Sequence, residues 1–263
     1  DKCERWERAL GMLAEMQERG LTPTMVTYNA AITACAKSDM WQWALVILVD
    51  VHEQQLKPDV VSYNAAISAN GGSLRWESAV RMCAEMQEQS LQLDVISYSA
   101  AISASDKSEQ WGRALAILAE MQEDILSPNV ISYSAAIGAF EKGEHWEHAL
   151  EMLAQMHKQD LQPDVISYSA AISACEKDGQ WERALDILVE MPEHFLQPDT
   201  FSYSGAISAC GKGVQWKWAL LILAAMQERN LRPDVISYKA AISACERSVE
   251  MARGLELLQE LKE

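Results

Sequence analysis

The chain has 263 residues, of which 49% are hydrophobic and seven are proline, a composition typical of folded proteins that excludes a disordered chain. Its 22 basic and 38 acidic side chains give a formal net charge of −16, which disfavours indiscriminate nucleic-acid binding but permits a local basic surface. No run of about 18 apolar residues occurs, so neither a membrane-spanning helix nor a membrane partner is expected.

The sequence opens inside a repeating pattern. Residues 1–24 match the second half of a 35-residue unit, six complete units follow over 25–234, and a shortened unit occupies 235–263. We expect no targeting peptide in this chain, because Asp1 to Glu4 lack a basic head and an apolar core. We predict one array over 1–263. The period is carried by two aromatic series: Tyr28, Tyr63, Tyr98, Tyr133, Tyr168, Tyr203, Tyr238 and Trp6, Trp41, Trp76, Trp111, Trp146, Trp181, Trp216.

Each unit contains two stretches in which apolar residues recur at helical spacing. In the unit that begins at Val165, one apolar face contains Tyr168, Ala171 and Ile172, and a second face starts at Trp181 after a break. The Pro-Asp pair that closes most units predicts a helix stop, followed by a capping residue for the next helix.

Two short amphipathic helices cannot bury their apolar faces alone, so neighbouring units must stack. The predicted fold is therefore all-α: an α-solenoid, a right-handed superhelix of two-helix 35-residue repeats. One second helix contains Pro192, and we expect this helix to end about one turn early.

The aromatic series and the cysteines are predicted to pack between repeats, because they recur at fixed positions on the apolar helix faces. Stacked helices lie about 8–10 Å apart, too far for disulfides between equivalent positions. The cysteines therefore indicate reduced thiols of an intracellular compartment. Four of them share one core position: Cys35, Cys175, Cys210 and Cys245.

No catalytic motif accompanies the repeats. The sequence has no glycine-rich phosphate loop, Ser-His-Asp set or paired-carboxylate motif, so we predict that the chain is not an enzyme and takes no cofactor or small-molecule substrate. His145 and His148 lie three residues apart on a predicted helix, and without further ligands we predict no metal site there.

A basic side chain recurs at one position of the first helix, although the chain is strongly acidic. Helical spacing places this position on one face with polar residues, as for Ser169, Ser173 and Lys177. The helix dipole explains a cation at a helix C-terminus, but not the accompanying polar stripe. Gly72 interrupts the basic series, whose members are Lys37, Lys107, Lys142, Lys177, Lys212 and Arg247.

The unit resembles the pentatricopeptide repeat, or PPR. The resemblance rests on Val-Thr-Tyr-Asn-Ala-Ala-Ile at 26–32, on Trp-Glu-Arg-Ala-Leu at 181–185, on a later Met and on the closing Pro-Asp, and it covers essentially the whole chain. The amino-acid sequence of the repeat is also similar to that of PPR proteins from dinoflagellate algae. The resemblance implies binding of single-stranded RNA on the first-helix face, one nucleotide per repeat, in a plastid or mitochondrion.

In this family the residue after the repeat tyrosine and the last residue of the repeat together select the base. Asn with Asp favours uracil, Ser with Asn adenine, and Ser with Asp guanine, which implies the target 5′-UUAGGG-3′. Lys239 lies outside this code. The pairs carried over are Asn29 with Asp59, Asn64 with Asp94, Ser99 with Asn129, Ser134 with Asp164, Ser169 with Asp199, and Ser204 with Asp234.

The resemblance also implies phosphate contacts by the basic series and a set of side chains that sandwich the bases. We expect a sequence-selective adaptor or steric shield in organelle RNA metabolism, open to protein partners. One alternative is binding of TTAGGG-like single-stranded DNA, since the code does not require a 2′-hydroxyl; another is a protein-binding scaffold that uses the acidic surface. The sandwiching residues are Val26, Val61, Ile96, Ile131, Ile166, Phe201 and Ile236.

Overall fold

The computed structural model describes residues 4–38, 40–70, 76–108 and 110–248. Within these ranges it contains fourteen α-helices and no strand, which confirms the all-α prediction. None of the described helices is long and apolar enough to cross a membrane. The helices are α1 (Glu4–Glu18), α2 (Met25–Lys37), α3 (Trp41–Glu53), α4 (Val60–Asn70), α5 (Trp76–Glu88), α6 (Val95–Lys107), α7 (Trp111–Glu123), α8 (Val130–Lys142), α9 (Trp146–Lys158), α10 (Val165–Lys177), α11 (Trp181–Glu193), α12 (Thr200–Lys212), α13 (Trp216–Glu228) and α14 (Val235–Arg247).

The helices form two compact units, Asp1–Ala139 and Phe140–Glu263, divided within α8. We call the even-numbered helices the first helices and the odd-numbered ones the second helices of the repeats. In the first unit α2 packs on α4 and α4 on α6, and in the second α10 packs on α12 and α12 on α14. Second helices such as α3 and α11 contact the first helices before and after them in the chain. This stacking of consecutive helix pairs is the predicted α-solenoid.

The tyrosine series lies at the centre of the repeats, as predicted. Tyr28 and Tyr168 have no exposed surface, and Tyr98 is 1% exposed. Their hydroxyls reach acidic side chains of the second helices, as in the 2.9 Å bond from the Tyr28 Oη to Asp50. These bonds satisfy a hydroxyl that has lost its water.

The cysteines and tryptophans also pack as predicted. Burial raises the pKa of Cys175 and that of Cys210 to about 12, so both remain protonated thiols. Trp181 is half-buried, and its indole ring lies directly against Gly213 of the following repeat. The Trp181 ring therefore joins two neighbouring repeats while part of it stays at the surface.

The second helices end in a residue with left-handed backbone. Phe195, for example, has a φ of 61°, and the next N–H, of Leu196, bonds at 3.0 Å to the Met191 carbonyl. This Schellman arrangement satisfies the last carbonyls of the helix.

The expectation that Pro192 ends its helix early is wrong, since α11 continues to Glu193. In the last turn proline removes only one helical hydrogen bond, and the buried Met191 keeps that turn packed.

Gly213→Ala tests the contact between repeats. A β-carbon at this position would overlap the Trp181 ring, so we expect the free energy of unfolding to fall by about 1–3 kcal/mol. Gly112→Ala is the control, because its β-carbon would have nothing within 4 Å and alanine should raise the free energy by up to about 1 kcal/mol. Urea denaturation measures both, and a shift of the same sign for the two variants would contradict the assigned contact.

Candidate nucleic-acid interface

The residues of the proposed base code occupy two fixed places in the fold. The residue after the tyrosine is the fifth residue of a first helix, as Asn29 is in α2, and the last residue of the repeat precedes the next first helix. Asp94, Asp164, Asp199 and Asp234 are N-caps whose side chains accept the N–H of the third helical residue. A short polar side chain that accepts this N–H is what starts an α-helix most favourably.

In the two Asn-Asp repeats, the structure brings the paired residues into direct contact. Asn29 Nδ2 donates to Asp59 Oδ1 and Oδ2 at 3.1 and 3.2 Å, and Asn64 repeats both bonds to Asp94 at the same distances. The third residue of the following first helix completes the network, since Ser62 Oγ donates to Asn29 Oδ1 at 2.6 Å. Each pair is therefore held rigidly between consecutive repeats.

In the serine repeats the contact is direct in one case and runs through a second serine in two others. Ser204 Oγ donates to Asp234 Oδ1 at 3.2 Å. Ser99 and Ser169 instead bond at 2.7 Å to Ser132 and Ser202, which themselves donate to Asn129 and Asp199. The members of the fourth pair lie in different units: Ser134 donates to the Val130 carbonyl, and Asp164 accepts from Ser167.

The capping bonds also fix the charge of the carboxylates. Burial alone would raise the pKa of Asp59, but hydrogen bonds from Ser62 and Asn29 outweigh it and hold the pKa below its ordinary value. The pKa values of Asp94 and Asp234 are lowered in the same way by Ser97 and Ser237. At neutral pH these three side chains therefore act only as hydrogen-bond acceptors.

An apolar stripe runs beside the code residues. It consists of the second residue of each first helix, and its members are 57% to 78% exposed although all are large hydrophobic side chains. Isolated exposed apolar residues are ordinary, but here they recur at the same register position of seven first helices. The members are the residues predicted to sandwich bases: Val26, Val61, Ile96, Ile131, Ile166, Phe201 and Ile236.

The basic series ends the first helices, and part of it is paired within the chain. Lys177 Nζ lies 3.5 Å from Glu141 Oε1, and Lys212 Nζ lies 2.9 Å from Glu176 Oε1. Arg247 donates to the carbonyls of Gly211 and Lys212. Lys37 and Lys107 are exposed, and Lys142 is partly buried. Gly72 lies outside the described residues.

Comparison with protein families identifies the repeat. A pentatricopeptide repeat domain model matches residues 11–73 and 81–142, a PPR repeat family model matches 128–177 and 163–212, and a PPR repeat model matches 61–91. The chain belongs to the pentatricopeptide repeat family. Among curated proteins, none matches this PPR chain.

Solved PPR structures have the same fold. The chain is similar to the pentatricopeptide repeat protein PPR10 from maize, with 17% identity and a TM-score of 0.63 over 98% of this chain and 41% of PPR10. PPR10 in complex with an 18-nt psaJ RNA element matches at 21% identity and a TM-score of 0.63, over 99% of this chain and 43% of that one. The PPR domain of Arabidopsis thaliana protein-only RNase P 1 in complex with tRNA matches at 15% identity and a TM-score of 0.60. The match covers 68% of this chain and 95% of that domain. This chain thus spans about two fifths of PPR10.

Sequence reasoning missed two features of this surface and its surroundings. Glu141 and Glu176 bind lysines of the following repeat and also accept hydrogen bonds from Ser173 and Ser208 at 2.9 and 2.8 Å. A recurring acid one residue before the basic position was the available signal. The second feature is a group of three side chains that lie close together: His157, Glu190 and His194. Spacings of 33 and 4 residues gave no recognisable ligand motif.

The lowered pKa values predict how acid destabilises the fold. The stabilisation by Asp59, Asp94 and Asp234 is fully present above the ordinary Asp pKa of about 3.9 and is lost as the pH falls through their lower folded values. Replacing all three by Asn keeps the caps, as Asn129 does, but removes the titration. We therefore expect the urea midpoint of this variant to fall less steeply below about pH 4.

The control for this acid titration is Asp186→Asn, at an exposed position of α11 that caps no helix. It should keep the wild-type pH profile. The same low-pH slope in the triple variant and in the wild type would contradict the assignment.

Proposed function

We propose that this PPR chain binds single-stranded RNA sequence-selectively, about one nucleotide per repeat, with 5′-UUAGGG-3′ as the preferred target. The observation that carries the proposal is the exposed apolar stripe beside a row of hydrogen-bonded polar pairs. Bases need both features, since their faces stack on apolar surfaces and their edges carry donors and acceptors. The RNA complexes of the structurally similar PPR10 and of the RNase P 1 PPR domain support this proposal.

Base preference follows from the hydrogen-bond donors and acceptors that remain available after the capping bonds have formed. In the Asn-Asp repeats the two oxygens of Asp59 share one N–H of the Asn29 amide, and the second N–H is available to a carbonyl of uracil. In the Ser-Asp repeats the Asp199 carboxylate accepts the capping bonds through Oδ1, and its acceptor capacity suits the two donors on the guanine edge. Serine is also smaller than asparagine, which leaves room for a purine.

The electrostatic contribution should be modest. Six cations that each displaced one counterion would give a log–log salt slope of about −4. The ion pairs of Lys177 and Lys212 oppose part of this, because each lysine must leave a carboxylate before it neutralises a phosphate. Base recognition therefore supplies a larger share of the affinity, consistent with a role as a passive adaptor or steric shield. As for other PPR proteins, a plastid or mitochondrion is the proposed location.

Two other candidate ligands have support. No code residue requires a 2′-hydroxyl, so single-stranded TTAGGG DNA presents matching base edges. A protein partner is supported by a groove of about 1020 Å³ between α11 and α13, where Leu185, Val189 and Leu221 lie beside Glu182 and Asp186. This groove lies on second helices, so its use for a partner is compatible with RNA on the first helices.

Asp199→Asn should change the base preferred by the fifth pair from guanine to adenine. The variant reproduces the Ser99–Asn129 combination and keeps the cap, since Asn129 Oδ1 accepts from the Ser132 N–H at 2.9 Å. The neutral amide adds a donor, which matches the acceptor on the adenine edge. Selection from a randomised RNA pool measures the change.

Asp199→Ala is the control for this substitution, because it removes both the cap and the base contact. We expect it to lose selectivity at the fifth nucleotide and to cost about 1 kcal/mol of stability. A pool selected by Asp199→Asn that still carries guanine at this position would contradict the pairing.

Glu141→Gln combined with Glu176→Gln should tighten RNA binding. The two changes release Lys177 and Lys212 from their carboxylates, and each released cation should steepen the salt slope by about 0.7. Glu182→Gln with Glu193→Gln removes the same charge from the exposed face of α11 and should leave the slope nearly unchanged. Equal slopes for the two double variants, measured by titration at several salt concentrations, would argue against phosphate contacts by these lysines.

A further inference from the structure

Several first-helix tyrosine hydroxyls meet polar side chains from the ends of second helices. The Tyr98 hydroxyl donates to Asp124 at 2.6 Å, and Tyr63 accepts from Gln89 at 2.8 Å. At these tyrosines one or two polar side chains are enough to satisfy the hydroxyl. Around Tyr168 the corresponding positions are filled differently, by two histidines and a glutamate.

Three side chains converge at Tyr168 from two consecutive second helices. His157 lies in the last turn of α9, Glu190 lies in α11, and His194 caps the end of α11. The His157 Nε2 is 3.5 Å and the His194 Nε2 is 3.3 Å from Glu190 Oε1. The two imidazole rings stack, with centroids 4.6 Å apart. All three ligand atoms lie within 4.8 Å of one another.

These distances match those of a tetrahedral metal site. Zinc bonds of about 2.0–2.1 Å to nitrogen and oxygen place neighbouring ligand atoms about 3.3 Å apart. The two distances to Glu190 have this length. The Tyr168 hydroxyl lies 3.1 Å from both the His157 Nε2 and Glu190 Oε1, so it is next to two of the three ligand atoms. The two imidazole nitrogens lie within 4.8 Å of each other.

We propose that His157, Glu190 and His194 bind one divalent transition-metal ion of the zinc type, with the Tyr168 hydroxyl or a water molecule as the fourth ligand. Two imidazoles and a carboxylate are the donor set that zinc favours over magnesium or calcium. The ligand side chains are between 29% and 41% exposed, so the ion has a path from solvent. The net charge of −16 favours a cation at this surface.

Such an ion would fasten the end of one repeat to the next. His157 belongs to the repeat before that of Glu190 and His194, so a bound metal adds a cross-link that the unfolded chain cannot form. Metal binding should therefore stabilise the fold. His157, Glu190 and His194 lie on second helices or at their ends, whereas Tyr168 reaches the site from the first helix α10, where it precedes the code residue Ser169.

Calorimetric titration of the chelator-treated full chain with ZnCl₂, without RNA, tests the site. We expect one equivalent to bind the wild type and to raise its melting temperature. His194→Gln copies Gln89, the residue at the same position beside Tyr63, and should weaken binding at least tenfold. Tyr168→Phe should weaken binding by about tenfold while keeping one equivalent.

His52→Gln is the matched control. His52 occupies the register position of His157, but the following repeat carries Gln89 at the register position of His194, so this change should leave the affinity intact. Cobalt(II) absorption separates the proposed nitrogen and oxygen ligands from cysteine, since only thiolates add a charge-transfer band. Unchanged one-to-one binding by His194→Gln, a thiolate band, or only several weak equivalents on the wild type would overturn the proposal.

Discussion

The hydrogen bonds that begin each first helix are the interactions on which the described repeats depend. In the repeat that starts with α6, Asp94 accepts from the N–H of Ser97, whose side chain is fully buried. The same serine donates to Asn64 of the preceding repeat. One side chain thus starts a helix and fixes a neighbouring repeat, and the buried polar group is satisfied by partners on both sides. An unpaired serine at this place would cost about 1–3 kcal/mol.

Capping chemistry also limits what the surface can recognise. The best N-cap residues are Ser, Thr, Asp and Asn, and of these only Asp and Asn combine a planar group with enough reach to meet a base edge. The Asp carboxylate is a hydrogen-bond acceptor alone, whereas the Asn amide is both donor and acceptor. A repeat that must cap its helix can therefore carry few residue types at the code position. This chain contains two of them, since Asp199 and Asn129 both cap a helix. In the proposed base code, recognition and folding share the same atoms.

The repeat period, the helix pairs and the packing of Tyr168 followed from the sequence, because a 35-residue spacing and apolar faces at helical intervals report local geometry. The ion pair between Lys177 and Glu141 could not be predicted from the sequence, because it joins residues of different repeats whose rotamers are set by stacking. The group around His194 was missed for the same reason. The early helix end predicted at Pro192 does not occur, because helix propensity is weaker than the packing of a buried helix turn.

An acidic protein that recognises bases must gain its selectivity from the polar pairs and the apolar stripe. Fluorescence-anisotropy titration tests this most directly, with labelled UUAGGG RNA, TTAGGG DNA and a scrambled RNA of the same composition, at about 150 mM salt. The account predicts that UUAGGG RNA binds at least tenfold more tightly than the scrambled strand, with the DNA result deciding between the two polymers. Equal affinity for both RNAs, or binding to none of the three strands, would contradict it.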